Sequence, residues 1–133
     1  MNTKKLAGRV AVITGASKGL GRSMALALAE AGAKLSLFSR NAAQLEHVAA
    51  EARALGADVL CTAGDVTNEA EVQKFEAATT AHFGKVQILI NNAGVNIRKP
   101  VTDFTLAEWR TVLDTNLTGA FLITRSFVPH MKG

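Results

Sequence analysis

Three glycines close together after an apolar run are the first residues of this chain that could do chemistry. They lie in Thr14-Gly15-Ala16-Ser17-Lys18-Gly19-Leu20-Gly21. A pyrophosphate can reach a backbone only where side chains are absent or small. A helix N-terminus beyond such a turn offers unpaired N–H groups and a partial positive charge. Glycines also serve as plain turn formers, so the run by itself leaves two readings open. Its place between a strand and a helix favours nucleotide binding.

The elements that must position this turn can be read from the hydrophobic pattern. Arg9 to Ile13 is a first strand, and the stretch after the turn places Leu20, Met24 and Leu28 at helical spacing before Gly32. Lys34 to Phe38 is a second strand. Asn41 with Gln44 has the spacing of a capping box, and Leu45, Val48, Ala49, Ala52 and Leu55 form a buried stripe ended by Gly56. Asp58 to Thr62 is a third strand. Asn68 with Glu71 opens a helix whose apolar face is Val72, Phe75, Thr79 and Phe83, closed by Gly84. The continuous run Val86 to Ile90 fits a strand buried on both faces. Thr105 with Glu108 starts one long helix through Trp109, Val112, Leu113, Leu117 and Phe121, with Pro129 near its end. Strands alternating with helices predict an α/β fold, a parallel sheet covered on both faces and linked by right-handed crossovers. Lys132-Gly133 looks like the approach to a further strand, which makes residues 1–133 read as part of a larger fold.

Composition narrows the partners. With 48% hydrophobic and 20% charged residues, the chain has the makings of a packed core rather than of disorder. Its apolar runs are too short to span a bilayer, and the residues after Lys4 and Lys5 make a poor signal peptide. A cytoplasmic protein is expected. The single Cys61 agrees with a reducing compartment and reads as packing in a strand. The net charge of +4 comes from scattered cations with no aromatic interleaving, which argues against nucleic acid. His47, His82 and His130 are dispersed and suggest no metal site.

The glycine spacing resembles the Thr-Gly-x-x-x-Gly-x-Gly fingerprint of the short-chain dehydrogenase/reductase family. Three further matches follow in order: Asp65-Val66 after strand three, Asn91-Asn92-Ala93-Gly94 after strand four, and Asn116 within Asn116-Leu117-Thr118-Gly119. The resemblance covers essentially the whole chain. It implies a Rossmann-type, doubly wound three-layer fold with strand order 3-2-1-4. It also implies cofactor contacts from Gly15, Ser17, Lys18, Gly19, Leu20, Gly21, Asp65, Val66, Asn92, Ala93 and Gly94. The Asp65 position corresponds to the family's contact with the adenine amino group, and Asn116 to its catalytic Asn. Each match has a plainer reading: Asp65 with Thr67 and Asn68 as a helix cap, Asn91-Asn92 as turn chemistry, Asn116 as an exposed helical position.

Which cofactor is expected follows from strand two. An acidic residue at its end would hold both ribose hydroxyls of NAD and repel the 2′-phosphate of NADP. Here the residues are Ser39-Arg40-Asn41. Arg40 can grip a phosphate through its planar donor fork, and Lys18 can bring a second cation; the alternative is a surface cation beside a helix cap. NADP(H) is expected. The family's catalysis implies a Ser, a Tyr as general acid/base and a Lys four residues later, with Asn assisting. This chain has no Tyr, so of that set only Asn116 is present, and the chain alone is expected to be inactive. The residues around Ser39 to Leu45 and Trp109 to Gly119 resemble 3-oxoacyl-carrier-protein reductases and small ketone reductases. Two function classes stay open: the cofactor-binding half of a ketone/alcohol oxidoreductase, expected to form a homo-oligomer or to be completed by a companion chain or further residues, and a non-catalytic nucleotide-binding or assembly module. An isolated flavodoxin-like domain is disfavoured by the glycine spacing.

Overall fold

A computed structural model describes residues 4–132 of the chain. Four parallel strands form one sheet in the order β3-β2-β1-β4. They are β1 (Val10–Thr14), β2 (Lys34–Ser39), β3 (Val59–Ala63) and β4 (Ile88–Ile90). Between them run α1 (Gly19–Glu30), α2 (Ala42–Ala54) and α3 (Glu69–Phe83); after β4 come α4 (Leu106–Leu113) and α5 (Gly119–Phe127). This is the doubly wound architecture with the strand order expected of a Rossmann-type sheet.

Side-chain alternation along the strands builds the two layers. Ala11 and Ile13 of β1 and Leu35 and Leu37 of β2 pack with α1 and α2. Val10 and Val12 of β1 and Phe38 of β2 turn to the opposite face, where Val72 and Phe75 of α3 and Leu122, Ile123 and Phe127 of α5 cover them. Ser36, the polar residue buried on that second face, pairs its hydroxyl with Thr79 at 2.7 Å. That bond leaves neither hydroxyl orphaned in the core. Phe38 stacks on Phe75 at 4.5 Å between centroids, and Phe127 meets Phe75 edge-on at 5.2 Å. A continuous aromatic column thus joins β2, α3 and α5.

The α2 stripe is as expected for Leu45, Val48, Ala49 and Ala52, but Leu55 is the C-cap and exposed. The α1 expectation is corrected. Its buried positions are Gly21, Ala25 and Ala29, while Leu20 is 75% exposed. The helix lies so close to β1 that only small residues fit between them, so the larger residues are displaced to its flanks.

Three further corrections concern local geometry. Asn41 and Asn68 do cap their helices, accepting from Gln44 N and Glu71 N. The Glu71 carboxylate, however, accepts from Asp65 N at 2.9 Å, while Asn68 N donates to Asp65 O. Only Thr105 and Glu108 form the full reciprocal box. The helix beginning there is not one uniform element: residues Asp114–Thr118 form a π turn between α4 and α5. Strand four is shorter than expected and only half-buried along Ile88–Ile90, since it lies at one edge of the sheet. Val86 is buried ahead of it and donates its N–H to His130 O. Of the last two residues, Lys132 is in no strand and Gly133 lies outside the described residues. Among the described residues no helix is long and apolar enough to cross a membrane.

The aromatic column makes a stability prediction. Phe75 is fully buried between Phe38 and Phe127, so Phe75→Ala removes both ring contacts and leaves a cavity. Chemical denaturation followed by circular dichroism should show a loss of about 3–5 kcal/mol.

Candidate cofactor site

The C-terminal ends of β1, β2 and β3 and the loop after β4 enclose a cleft of about 270 Å³. Its floor is the turn from β1 into α1. Gly15 has φ of 62°, and a Cβ there would stand 2.9 Å from Ala93 Cα. Gly21 lies beneath the turn, where a Cβ would fall 2.0 Å from Gly15 O and 2.6 Å from Asn92 Nδ2. Both glycines are therefore needed for contact between chain segments. Gly19 differs: its φ is 57°, and no atom comes within 4 Å of a Cβ built on it. That open space lies at the start of α1, after Lys18 in extended conformation at the N-cap. Lys18 makes no side-chain cap hydrogen bond, so the helix N-terminus keeps donors for an anion.

A buried hydroxyl fixes the far wall. Thr14 Oγ1 accepts the N–H groups of both Asn92 and Ala93 at 3.0 Å, and Asn92 Nδ2 donates back to Gly15 O at 3.0 Å. The loop after β4 is thereby stapled to the glycine turn. Its outer end is held by Asn116, whose Oδ1 accepts from Val95 N at 2.8 Å and whose Nδ2 donates to Val95 O at 3.0 Å. This pair imitates a rung of β-sheet with a side chain. Gly94 permits the approach, since a Cβ there would stand 3.1 Å from Asn116 Oδ1. Asn91 Nδ2 reaches Thr124 Oγ1 on α5.

The remaining wall comes from β2 and β3. Phe38, Ser39 and Arg40 lie beside Gly64, Asp65 and Val66 along it, with Gly64 N donating to Ser39 O at 2.9 Å. Ser39 Oγ donates to Ser17 Oγ at 2.8 Å, joining the second strand to the glycine turn. Asp65 Oδ1 accepts from both N–H and hydroxyl of Thr67, so the turn reading of Asp65 holds alongside its place in the cleft. Arg40 and Lys18 are both exposed and both line the cleft, and Asp65 is the one carboxylate among its lining residues. Among the described residues no group of three or more His, Cys, Asp or Glu could hold a metal.

Ten of the residues expected at the site line this cleft together: Gly15, Ser17, Lys18, Gly19, Arg40, Asp65, Val66, Asn92, Ala93 and Gly94. Leu20 lies outside the lining and Gly21 supports it from below. Asn116 stands behind the loop, and its neighbour Thr115 reaches the cleft instead. Sequence reasoning missed the structural part of Thr14, and it missed Phe38, Gly64 and Thr115. A threonine ending an apolar strand next to a glycine was the available signal for Thr14. Cys61 lies apart from the lining; burial pushes its thiol up to about 11, as befits a packing residue rather than a nucleophile. At the loop's outer end, the Lys99 ammonium lies 2.6 Å from Glu108, and this hydrogen bond holds the Glu108 carboxyl below its ordinary range.

The chain as a whole is similar to known proteins. The family model for short chain dehydrogenases matches residues 9–133. This chain belongs to the short chain dehydrogenase family. An 11-beta-hydroxysteroid dehydrogenase-like protein of Arabidopsis thaliana is 40% identical over 134 residues, covering 99% of this chain and 44% of the relative. L-sorbose reductase from Gluconobacter frateurii, solved with NADPH and L-sorbose, superposes with a TM-score of 0.90 at 30% identity, over 98% of this chain and 50% of that one. A NAD+-bound xylitol dehydrogenase superposes at 0.92 with 34% identity, over 96% of this chain and 49% of that one. The chain thus spans about half the length of the short chain dehydrogenases it matches.

The Thr14 staple can be tested without touching the cleft surface. Thr14→Val keeps the shape but leaves the N–H groups of Asn92 and Ala93 without their acceptor. Each buried unsatisfied donor costs about 1–3 kcal/mol, so denaturant titration should show a stability loss of at least that size. Hydrogen exchange should show faster exchange at those two amides.

Proposed function

We infer that this chain binds NADP(H) and serves as the cofactor-binding part of an oxidoreductase that interconverts a ketone and a secondary alcohol. The observation that carries the reading is the pairing of Lys18 and Arg40 at one cleft that also contains the open helix N-terminus at Gly19. A pyrophosphate fits the glycine turn, where an added Cβ at Gly19 meets nothing. A 2′-phosphate on the adenosine ribose suits the two cations, and the end of β2 has no acid to repel it. Asp65 and Val66 flank the adenine, and Asn92, Ala93 and Gly94 support the ribose and nicotinamide side. The structural relatives include one solved with NADPH and one with NAD+, so the choice between the two rests on this chain's own charges.

The bound cofactor supplies or accepts the hydride. This chain's residues orient it: the glycine turn fixes the phosphates, and Asn116 holds the Val95 backbone that borders the catalytic end. The Tyr and Lys that transfer and tune the proton in this family have no counterpart among these 133 residues, which contain no Tyr. Turnover therefore depends on groups supplied by other residues or a companion chain. A second reading is a nucleotide-binding module without chemistry of its own. Addition of a Ser-Tyr-Lys-bearing polypeptide that restores ketone reduction decides for the enzyme. A cytoplasmic location accords with the lone half-buried Cys61.

Cofactor choice is tested by titrating the chain with NADPH and NADH. The unaltered chain should prefer NADPH, and Arg40→Asp should weaken NADPH by about 10- to 150-fold while sparing NADH, as expected for one charge-assisted contact of ~1.5–3 kcal/mol. Equal affinity of the unaltered chain for both cofactors overturns the assignment.

Self-association belongs to the same reading. Trp109, Leu113, Leu117 and Phe121 are 51%, 37%, 66% and 57% exposed along α4, the π turn and α5. The half-buried edge strand β4 adds unpaired backbone on the same side of the sheet order. A patch and an edge of this kind favour association. Light scattering should show dimers or larger assemblies, and a monodisperse monomer with a cooperative melt contradicts the proposal.

A further inference from the structure

Gly119 opens α5 where that helix meets the loop after β3. A Cβ built on it would lie 2.4 Å from Val66 Cγ2 and 3.0 Å from Val66 Cβ. Carbon atoms in contact prefer about 3.5–4.0 Å, so the helix occupies a position that only a bare Cα permits. Val66 is 5% exposed, and its remaining exposed surface belongs to the cleft.

Val66 has little freedom to yield. Its β-branched side chain is stiff at χ1, and it packs in the core with Val72, Phe75, Leu122 and Ile123. The preceding residue is tied down as well, with Asp65 N on Glu71 Oε1 and Asp65 O receiving Asn68 N. Val66 lines the cleft on its open side, so pressure from the α5 side is relieved toward the cleft. The π turn connects this contact to the rest of the site. Asn116 within it fixes Val95, and Gly119, three residues later, seats Val66. One helical segment thus registers the loops after both β3 and β4.

We propose that Gly119 is a positioning residue which, through Val66, sets the width of the slot that receives the adenine ring. The inference rests on the cofactor reading above. It assigns Gly119 an effect on the base, because Val66 belongs to the loop after β3 whereas the glycine turn that receives the phosphates follows β1.

The test compares two probes on the 133-residue chain by competition calorimetry: adenosine 2′,5′-bisphosphate and uridine 2′,5′-bisphosphate, which differ in the size of the base. Gly119→Ala should weaken the adenosine probe about tenfold and lower the adenosine-to-uridine affinity ratio by a similar factor. General damage to the fold would weaken both probes alike and leave the ratio unchanged, which overturns the proposal. Adding Val66→Ala removes the methyl groups that the new Cβ would strike, so the double variant should recover most of the adenosine affinity relative to Val66→Ala alone. No recovery overturns it. If Gly119→Ala does not fold, a double variant that folds and binds supports the proposal, and a double variant that also fails to fold overturns it. An unaltered chain that binds neither probe overturns the cofactor reading itself, and this inference falls with it.

Discussion

The Thr14 hydroxyl, accepting two backbone N–H groups from the loop after β4, is the contact on which the cleft depends. It lies at the end of β1, the strand that pairs with both β2 and β4. Because the hydroxyl is buried and both donors are backbone, the bond resists competition from water. The loop it holds then presses against Gly15, and Asn92 returns a hydrogen bond to the same glycine. Gly21 fits under that junction at a distance no larger residue could share. Floor and wall of the cleft are thus one interlocked unit rather than two loops that happen to be near each other.

Packing and function are joined through the same close approaches. The small residues of α1 let its N-terminus come down onto β1, which places the helix dipole and its free N–H groups at the cleft floor. On the opposite face the aromatic column from Phe38 to Phe127 sets the separation of β2, α3 and α5. Phe38 is both the end of that column and part of the cleft wall, and Gly64 exists as glycine because a Cβ there would lie 2.7 Å from its ring. Salt bridges contribute less. Arg22 to Glu51 and Arg125 to Glu69 join neighbouring helices, but all four side chains are substantially exposed, and such pairs are worth little.

The sequence made the architecture readable where burial follows periodicity and large side chains. The stripe Leu45, Val48, Ala49 and Ala52 is such a case, and so are the alternating strands. It misled at α1, because hydrophobicity counts favour Leu20 and Leu28 while the contact face is defined by what is missing, the side chains of Gly21, Ala25 and Ala29. It was silent on the Thr14 staple, whose partners lie 78 and 79 residues away, and on the use of Glu71 by Asp65 instead of its own cap. The π turn also left no trace, since Trp109, Leu113, Leu117 and Phe121 keep a regular spacing through it. The motif residues of the cleft were legible as a set because each follows a strand end, where a parallel sheet collects its loops.

The two ends of this sheet place very different demands on the chain. At the cleft end, Gly15, Gly21, Gly64 and Gly94 stand against neighbouring atoms, and the loops are bonded to one another. At the other end, α2 and α3 are followed by Gly56 and Gly84, and a Cβ at either would meet nothing within 4 Å. Those two corners, with both glycines kept for their positive φ, are the natural places to insert a peptide tag or a tether to another domain. Both face away from the cleft, so a reporter carried there would ride on the frame of the molecule without entering the room where the ligand sits.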